Sequence, residues 1–311
     1  MLKLGISTLE QIKDKKSLKT FFGSDKRISI SLYQYIQECP DADEISERIL
    51  LLFSDERGAY KRTYQKRFEI FDKKVIDIIK EIFMSSETLL CHDVAVSDGR
   101  TALDFFEKLS AEFAQLQYTA SDYNPKVYLL EKGRTKVTIS HTGKVLEVLF
   151  SSFVFNKTKP DAFRYYPLNH LILFFVELFA VRPLMKQYRQ GLIQARELLL
   201  FAPQVLRRAQ ADNRFRLGQH DLLNPLEKQV HVIRAMNVLN PSYFSKSEFM
   251  VVVRNLYNGL KEGGILITGS NQDAGSIVNG NIYQKRGDGF QNILQSGTGS
   301  PIQKLILTFK P

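Results

Sequence analysis

The sequence predicts an α/β fold in which parallel strands alternate with helices, and three observations support this prediction. Residues 89–96 are an apolar, β-prone run that leads through a turn of small residues into a segment with helical spacing of its apolar residues. A second short apolar strand ends at Asp122, and a buried strand begins at His231. A Gly-Gly turn then precedes another buried strand in 260–268. Strands that alternate with helical segments are typical of parallel sheets.

The turn after the first of these strands is the first candidate binding element. A strand, a tight turn and a helix N-terminus together bring backbone N–H groups close to a polar ligand. Gly99 has no Cβ atom, so it can adopt a positive φ angle and let a ligand approach the main chain. Corners of this kind also occur in α/β proteins that bind nothing there, so the turn alone leaves both interpretations open.

Acidic residues at later strand ends favour a nucleotide-like ligand. Asp122 follows Gly99 by about 20 residues, the spacing at which a carboxylate accepts hydrogen bonds from both hydroxyls of a ribose. Asp221 ends an apolar-alternating run, where its carboxylate is placed to meet an exocyclic adenine amine. Together with the turn, these two residues predict a binding site along one edge of the sheet.

The order of these motifs resembles the class I S-adenosylmethionine-dependent methyltransferases over about residues 90–311. The segment DVAVSDG is similar to the family's first motif, an acidic residue followed by alternating glycines. Asp93 matches the acid and Gly99 matches the last glycine. Ala95 and Ser97 stand where glycines are commoner.

Two later segments extend the resemblance. Residues 231–239 are similar to the fourth-strand motif, with a weaker likeness to chemotaxis-receptor methyltransferases. His231 replaces the usual acid at the start of that strand, so the resemblance does not define the substrate side of the site in detail. Residues 260–268 match the family signature of Leu-x-x-Gly-Gly followed by a strand.

The resemblance implies a doubly wound α/β fold with a mostly parallel sheet of seven strands, and S-adenosylmethionine as cofactor. It also implies that the 93–99 turn holds the amino-acid end of the cofactor, that Asp122 holds the ribose, and that Asp221 holds the adenine. The cofactor-binding residues implied in this way are Asp93, Ala95, Ser97, Asp98, Gly99, Asp122, Tyr123, Asp221 and Leu222.

Substrate-side candidates follow the fourth strand, at the carboxyl edge where open α/β sheets bind ligands. They are Arg234, Asn237, Asn240 and Tyr243. The Asn-Pro-Ser-Tyr segment at 240–243 is similar to the Asn-Pro-Pro-Tyr motif of methyltransferases that act on exocyclic amines, but it lies three residues later than that motif. The alternative is a turn that opens the next helix, with Ser245 or Ser247 as cap. Arg234, in a buried strand, predicts either a carboxylate partner near the cofactor or a strand closer to the sheet edge.

The sequence shows no catalytic triad and no metal-ligand spacing. None of the five histidines lies in a nucleophile-elbow context, and the His220–Asp221 pair is a lone doublet. Methyl transfer requires alignment, exclusion of water and, where necessary, removal of a proton, so a triad is not required. The catalytic residues and the methyl acceptor therefore stay unassigned, an acidic or an apolar acceptor is open, and no metal is expected.

Composition sets broader limits. At 311 residues the chain is long enough for one large domain or a domain with a substantial extension. A formal net charge of +10 favours acidic partners such as nucleic acid, anionic lipid or acidic proteins, or simply a soluble basic surface. Two cysteines fit a reducing cytosol better than a disulfide framework. The first residues lack the apolar core of a signal peptide, so we expect a cytoplasmic protein.

The expected organisation is a helical N-terminal region over 1–88 and a methyltransferase-like domain over 89–311 with an insertion at about 125–210. Alternating runs around Gly133 and Gly143 predict hairpin turns within the insertion, either in an inserted antiparallel β-ribbon or in a small sheet that lies over the active-site crevice. A helix is expected over 192–208. The last 30 or so residues predict a closing antiparallel hairpin, with QKLILTF as an apolar strand.

Residues 165–188 are the most apolar part of the chain, and their apolar run, broken only by Glu177, is flanked by Arg182, Lys186 and Arg189. A spanning helix needs about 20 apolar residues, so a buried helix is the default prediction. The alternatives are an interfacial helix on an anionic membrane and a helical hairpin that lines an apolar substrate pocket. Two other functions thus compete with methyl transfer: a regulatory protein that keeps the fold without turnover, and a membrane-surface protein.

Overall fold

The structure is a computed structural model of the chain. It describes residues 8, 10, 11, 28–36, 42–56, 61, 63, 65–84, 88–158, 167–240, 243–271 and 277–311. The chain divides into two compact units, each built from two segments. One unit contains Met1–Arg62 and Lys126–Pro203, and the other contains Thr63–Pro125 and Gln204–Pro311. Residues 63–88, which the sequence assigns to the N-terminal region, thus belong to the second unit.

The described elements are named in chain order. The strands are β1 (Leu89–Val94), β2 (Leu116–Asp122), β3 (Lys126–Lys132), β4 (Thr135–Ile139), β5 (Val145–Phe150), β6 (Phe153–Asn156), β7 (Arg196–Leu199), β8 (Phe215–Gln219), β9 (Val230–Met236), β10 (Leu260–Ser270), β11 (Asn279–Arg286) and β12 (Gly289–Ser296). The α-helices are α1 (Tyr33–Ile36), α2 (Ala42–Leu52), α3 (Glu69–Phe83), α4 (Arg100–Glu112), α5 (Pro167–Val176), α6 (Arg182–Arg189), α7 (Pro203–Ala211), α8 (Lys246–Gly259) and α9 (Gln303–Thr308). A 3₁₀ turn (Ile30–Leu32) precedes α1, and a π-helical turn (Glu177–Val181) joins α5 to α6.

The second unit contains a seven-stranded sheet in the order β12-β11-β10-β9-β1-β2-β8. Strands β8, β2, β1, β9 and β10 are parallel to one another, and β11 and β12 close the sheet beyond β10 as an antiparallel hairpin. The predicted α/β fold with a mostly parallel sheet of seven strands is therefore confirmed. All parallel strands end at the same edge, so their carboxyl ends gather the candidate residues there.

Helices cover both faces of this sheet, as alternate residues of the central strand β9 show. Ile233 and Ala235 pack in the same core as the apolar residues of α8. Arg234 points to the opposite face, where it contacts Asp72 of α3 and the ring of Phe105 of α4. Buried strands flanked by helices on both faces explain why these segments read as continuous apolar runs.

The first unit contains an antiparallel five-stranded sheet in the order β6-β5-β4-β3-β7. The predicted β-ribbon is correct, and Gly133 (φ 57°) and Gly143 (φ 82°) adopt the left-handed conformation in its turns. The predicted helix over 192–208 is wrong in its first half: β7 lies there and pairs with β3 at the sheet edge. Helix α7 begins only at Pro203.

Both faces of the ribbon are apolar, and each is covered by helices. Val127 and Leu129 of β3 pack with the 3₁₀ turn, α1 and α2. Leu130 of the same strand packs on the other side with residues of α5 and α6. The N-terminal helices and the insertion therefore share one core, although about 70 residues of chain separate α2 from β3.

The apolar segment 165–188 is described from residue 167 onward as α5, the π-helical turn and α6. Leu173, Val176, Val181 and Leu184 are buried on one side of this helix. The prediction of a buried helix is correct only for that side, because the other side carries exposed apolar residues. Within the described part of the chain, no helix combines the length and the apolar character needed to cross a membrane.

The segment QKLILTF forms helix α9, so the predicted strand is wrong there. Ile302, Ile306 and Phe309 are buried at spacings of four and three residues, which is the period of a helix. They join the core formed by α8 and the central strands. The hairpin itself, β11 and β12, is correctly predicted.

Candidate functional site

The turn between β1 and α4 has an unusual backbone. Ala95 (φ 57°), Ser97 (φ 62°) and Gly99 (φ 83°) all adopt the left-handed conformation, so every second residue has a positive φ angle. The turn is fixed by two bonds: the Val96 N–H donates to the Ser121 carbonyl, and the Gly99 N–H donates to the Val96 carbonyl, both at 3.0 Å. A left-handed alanine or serine costs about 1–2 kcal/mol. The turn therefore keeps a glycine-like backbone path even where glycine is absent.

We expect Ala95→Gly and Ser97→Gly each to raise the free energy of unfolding by about 0.5–1 kcal/mol. Relief of the strain, about 1–2 kcal/mol, is partly offset by the greater freedom of glycine in the unfolded chain, about 0.4–1 kcal/mol. Urea unfolding measures the change. Ala111→Gly, at an exposed position in α4, is the control and is expected to destabilise by up to about 1 kcal/mol. A loss of stability in either turn variant would contradict the strain argument.

Asp122, at the end of β2, lies directly against this turn. The parallel register of β1 and β2 pairs Val94 with Ser121, so the two strand ends are side by side. The Ser97 N–H donates to Oδ2 of Asp122 at 2.7 Å, and the Asn124 N–H donates to Oδ1 at 3.0 Å. The carboxylate is half-buried and held in one orientation by these main-chain donors. Each carboxylate oxygen has a second lone pair with which to accept a bond from a ligand hydroxyl.

The Asp221 segment adjoins Asp122. The His220 N–H donates to the Asp122 carbonyl at 3.0 Å, which joins the ends of β2 and β8. Oδ1 of Asp221 accepts the Leu223 N–H at 3.0 Å, and the side chain is half-buried. Leu222 is buried in the same core as Val94, so its side chain serves packing. Tyr123 is half-buried beside Asp122, and its carbonyl accepts a bond from the Gln219 amide at 3.2 Å.

A second polar group lies at the ends of β9 and β10. Asn237 has a positive φ angle of 58°, and its side-chain oxygen accepts the Asn271 N–H at 3.1 Å. The Arg67 guanidinium donates to the Asn271 side chain at 2.7 Å and to the Asn271 carbonyl at 2.9 Å. The sequence analysis missed Asn271, although a polar residue directly after the buried strand β10 was a usable signal. The contact between Arg67 and Asn271 is set by the tertiary fold, so the sequence did not predict it.

The other substrate-side candidates are more exposed. Asn240 and Tyr243 form a turn in which the Tyr243 N–H donates to the Asn240 carbonyl at 2.9 Å. Pro241 and Ser242 lie outside the described residues. Ser245 caps α8 in a capping box with Glu248, as the sequence alternative predicted.

Asp93 and Arg234 are not at the surface of the site. Arg234 is 1% exposed and donates to Asp93 at 2.7 Å and to Asp72 at 3.2 Å. The Tyr118 hydroxyl also donates to Asp93, at 2.7 Å. Burial raises the pKa of Asp72 to about 6 and also raises the pKa of Asp93, with Arg234 opposing both shifts. Strand β9 is central, so the prediction of a carboxylate partner for Arg234 is correct and the edge-strand alternative is wrong.

Asp98 is also buried, and it anchors the turn. Its carboxylate pairs with the Arg100 guanidinium and accepts the Thr63 hydroxyl. Two residues of the segment that precedes α3 bind nearby: the Lys66 N–H donates to Asp104 at 2.5 Å, and Arg67 binds Asn271. Thr63, Lys66 and Arg67 thus contact the carboxyl edge at the β1 turn, in α4 and at the end of β10.

His92 is a further titratable group near this edge. Its Nε2 atom lies 2.7 Å from the Ser121 hydroxyl, and its ring lies 5.6 Å from that of His220. Burial lowers the pKa of His92 to about 4, with help from His220 and Lys228, so its ring is neutral at neutral pH. The described residues contain no group of three or more His, Cys, Asp or Glu side chains arranged to hold a metal.

No protein-family model and no curated protein sequence matches this chain. Solved structures similar to it include the CMeT domain of the citrinin polyketide synthase, at 11% identity and a TM-score of 0.35. The match covers 78% of this chain and 42% of that one. The N-methyltransferase NodS from Bradyrhizobium japonicum WM9 matches at 13% identity and a TM-score of 0.31, over 66% of this chain and 71% of that one. At these values the similarities concern the fold alone.

Proposed function

We propose that this protein transfers a methyl group from S-adenosylmethionine to an acceptor. The observation that carries the proposal is the pairing of the left-handed turn with the Asp122 carboxylate. Left-handed residues occupy 95, 97 and 99, the positions at which the resembled family has its alternating glycines. Ser97 in this turn donates its N–H to Asp122, the residue that the resemblance assigns to the ribose.

The residues at the edge fit this cofactor in charge and in hydrogen-bonding groups. The main chain of the turn would hold the amino-acid end, because small residues at 95, 97 and 99 leave the backbone accessible. The half-buried Asp122 carboxylate would accept bonds from the ribose hydroxyls, and Asp221 would accept a bond from the adenine amine. Tyr123 would flank the base, whereas Leu222 is buried and would support the site only through packing. When bound, the cofactor supplies a methyl group already activated on a sulfonium sulfur.

Asp93, Asp98 and Arg234 have a supporting role in this proposal. Their charged groups are buried and paired with other residues of the same unit, so they hold β1, β9 and the turn in position. The left-handed turn is then fixed before the cofactor arrives, which lowers the ordering cost of binding.

The acceptor would bind at the ends of β9 and β10. Asn237 lies there beside Asn271 and Arg67, which bond to each other, and Asn240 and Tyr243 are exposed beyond them. These polar and cationic groups favour an acidic or polar acceptor. The protein's own part in the reaction would be to align the acceptor and exclude water, for which no triad is needed. A regulatory protein without turnover is the alternative function, since it would bind the cofactor at the same residues.

Calorimetric titration of the full chain with S-adenosylmethionine and S-adenosylhomocysteine tests the proposal. We expect both to bind with Kd values on the order of 1–100 μM, the range of ordinary cofactors and substrates. Adenosine alone and NAD are the control ligands, because an acidic strand end beside a turn also suits a dinucleotide. Absence of binding by both sulfur compounds, or tighter binding of NAD, would contradict the proposal. Binding without methyl transfer to any acceptor would favour the regulatory alternative.

A further inference from the structure

We propose that the helix formed by α5, the π-helical turn and α6 docks on the surface of an anionic membrane. Its exposed apolar face consists of six large side chains: Leu168, Leu171, Phe174, Phe175, Leu178 and Phe179. Phe179 is 72% exposed and Phe174 is 56% exposed. The ring of Phe175 lies 5.5 Å from that of Phe174 and 6.3 Å from that of Phe179, so the face is continuous.

Among the residues that the structure describes, the buried core on this side of the sheet does not include this face. The opposite side of the helix, with Leu173, Val176 and Leu184, packs against Val137 and Val148 of the five-stranded sheet. A helix that packs on one side ordinarily carries polar residues on the other. A continuous exposed apolar surface with charged residues at its rim is typical of a site that binds another protein or a membrane.

The charged residues of this helix indicate which partner the apolar face binds. Arg182, Lys186 and Arg189 are exposed on the last turns of the same helix, at spacings of four and three residues. Glu177 is the one acidic residue in the sequence from 167 to 192, and it is paired with Lys157. Aromatic and aliphatic side chains followed by exposed cations are the composition of helices that lie in the interface of anionic bilayers. Each cation near such a surface adds to binding.

A second copy of the chain fits this face less well. A two-fold interface brings the same patch of both copies together. Parallel helices would place cation against cation, and antiparallel helices would place the cations against apolar side chains. Neither arrangement supplies a carboxylate for Arg182, Lys186 or Arg189. The net charge of +10 adds a general repulsion between copies.

The chain contains no tryptophan, so one introduced indole reports on its own surroundings. Phe179→Trp places it on the apolar face. Ile70→Trp is the matched control, because Ile70 of α3 is 75% exposed and Phe179 is 72% exposed. Vesicles of phosphatidylcholine alone, and of phosphatidylcholine and phosphatidylserine in equal parts, are added to each variant. We expect the emission of Phe179→Trp to shift to the blue with anionic vesicles, and that of Ile70→Trp to stay unchanged.

Sedimentation with the same vesicles gives the affinity. Phe175→Ser with Phe179→Ser is expected to weaken binding about tenfold or more. Arg182→Gln with Lys186→Gln is expected to weaken it about 25-fold, since each cation near an anionic surface contributes about fivefold. Lys73→Gln with Lys74→Gln, at exposed positions of α3, removes the same charge and is expected to weaken it far less. All of these side chains are exposed, so the variants are expected to unfold at the temperature of the wild-type protein.

Three results would overturn the proposal. The first is sedimentation with anionic vesicles no greater than with phosphatidylcholine alone. The second is an equal emission shift at positions 70 and 179, which would indicate unspecific adsorption. The third is concentration-dependent self-association of the wild-type protein that Phe175→Ser with Phe179→Ser abolishes, because the face would then be an interface between two copies. None of these results depends on cofactor binding, so the proposed methyl transfer is tested separately.

Discussion

Arg234→Met is expected to lower the free energy of unfolding by about 3–5 kcal/mol near neutral pH. Methionine fills much of the space of arginine but leaves Asp72 and Asp93 without their cation. Both carboxyls are almost completely buried, and burial already raises their pKa values. A loss of this size is a large part of the stability of an ordinary domain, which is about 5–15 kcal/mol. Urea unfolding followed by circular dichroism measures it.

The pH dependence of this loss follows from the sign of the shifts. Without the guanidinium, both carboxyls would have pKa values above those of the unfolded chain, where aspartate titrates at about 3.9. Such groups add stability below the unfolded pKa, and this stability is lost as the pH rises through the folded pKa. The difference between Arg234→Met and wild type should therefore be smaller at about pH 4 than at about pH 8.

Two further variants separate buried charge from lost packing. The triple variant Arg234→Met, Asp72→Asn, Asp93→Asn leaves no charge in the cluster and is expected to recover much of the stability. Asp72→Asn alone keeps the Asp93–Arg234 pair and should flatten the stability profile between about pH 4 and pH 6, since the pKa of Asp72 is about 6. If Arg234→Met is within about 1 kcal/mol of wild type near neutral pH, the ion cluster does not have the role we assign to it.

Asp122→Ala is expected to weaken the binding of S-adenosylhomocysteine about 100-fold. In the proposed complex, the substitution would remove two hydrogen bonds from the ribose to a charged group, each about 1.5 kcal/mol or more. A change of 1.4 kcal/mol corresponds to a factor of ten. It also removes the acceptor of the Ser97 N–H, so the turn itself loses a restraint. Calorimetric titration with the product avoids turnover during the measurement.

Asp212→Ala is the matched control for this prediction. Asp212 precedes β8 at the amino edge of the sheet and accepts bonds from Arg214 at 2.8–3.3 Å. Its removal is expected to cost some thermal stability and to leave the affinity unchanged. Asp122→Asn keeps the shape of the side chain and should fall between wild type and Asp122→Ala. Wild-type affinity in Asp122→Ala would show that the ribose assignment is wrong, even if the wild-type protein binds the cofactor.

The parts of the fold that the sequence predicted well are those fixed by local patterns. Strand β1, its turn and α4 follow from an apolar run, small residues and a helical stripe within about 20 residues. The prediction of a strand where α9 lies was wrong, although Ile302, Ile306 and Phe309 have helical spacing. A short apolar run is compatible with both a strand and a helix. Strand β7 was missed because it is short and at an edge, so its structure depends on pairing with β3 rather than on its own sequence.

In the candidate site, too, the sequence predicted the residues that local patterns fix and did not predict those that the tertiary fold brings together. The turn directly follows β1, and Asp122 is the last residue of β2. The spacing of about 20 residues between Gly99 and Asp122 is the one expected for this kind of site. The partner of Arg234 is different: Asp72 lies 162 positions away, and nothing in a single sequence links the two. Predicting Asp93 as a cofactor contact from its place in the motif did not anticipate that its carboxylate is buried. The positive φ angles at Ala95 and Ser97 were likewise hidden, because neither residue type indicates that conformation.

The shared core of the N-terminal helices and the ribbon bears on how this chain could be dissected or recombined. The register of β3 and β7 pairs Lys126 with Leu199, so the two ends of the inserted segment lie side by side. A short linker could therefore replace that segment without stretching the chain between β2 and α7. The residues up to 62 would have to be removed with it, because they would otherwise lose the strands on which they fold. The two segments form one structural module, although they are separate in the sequence.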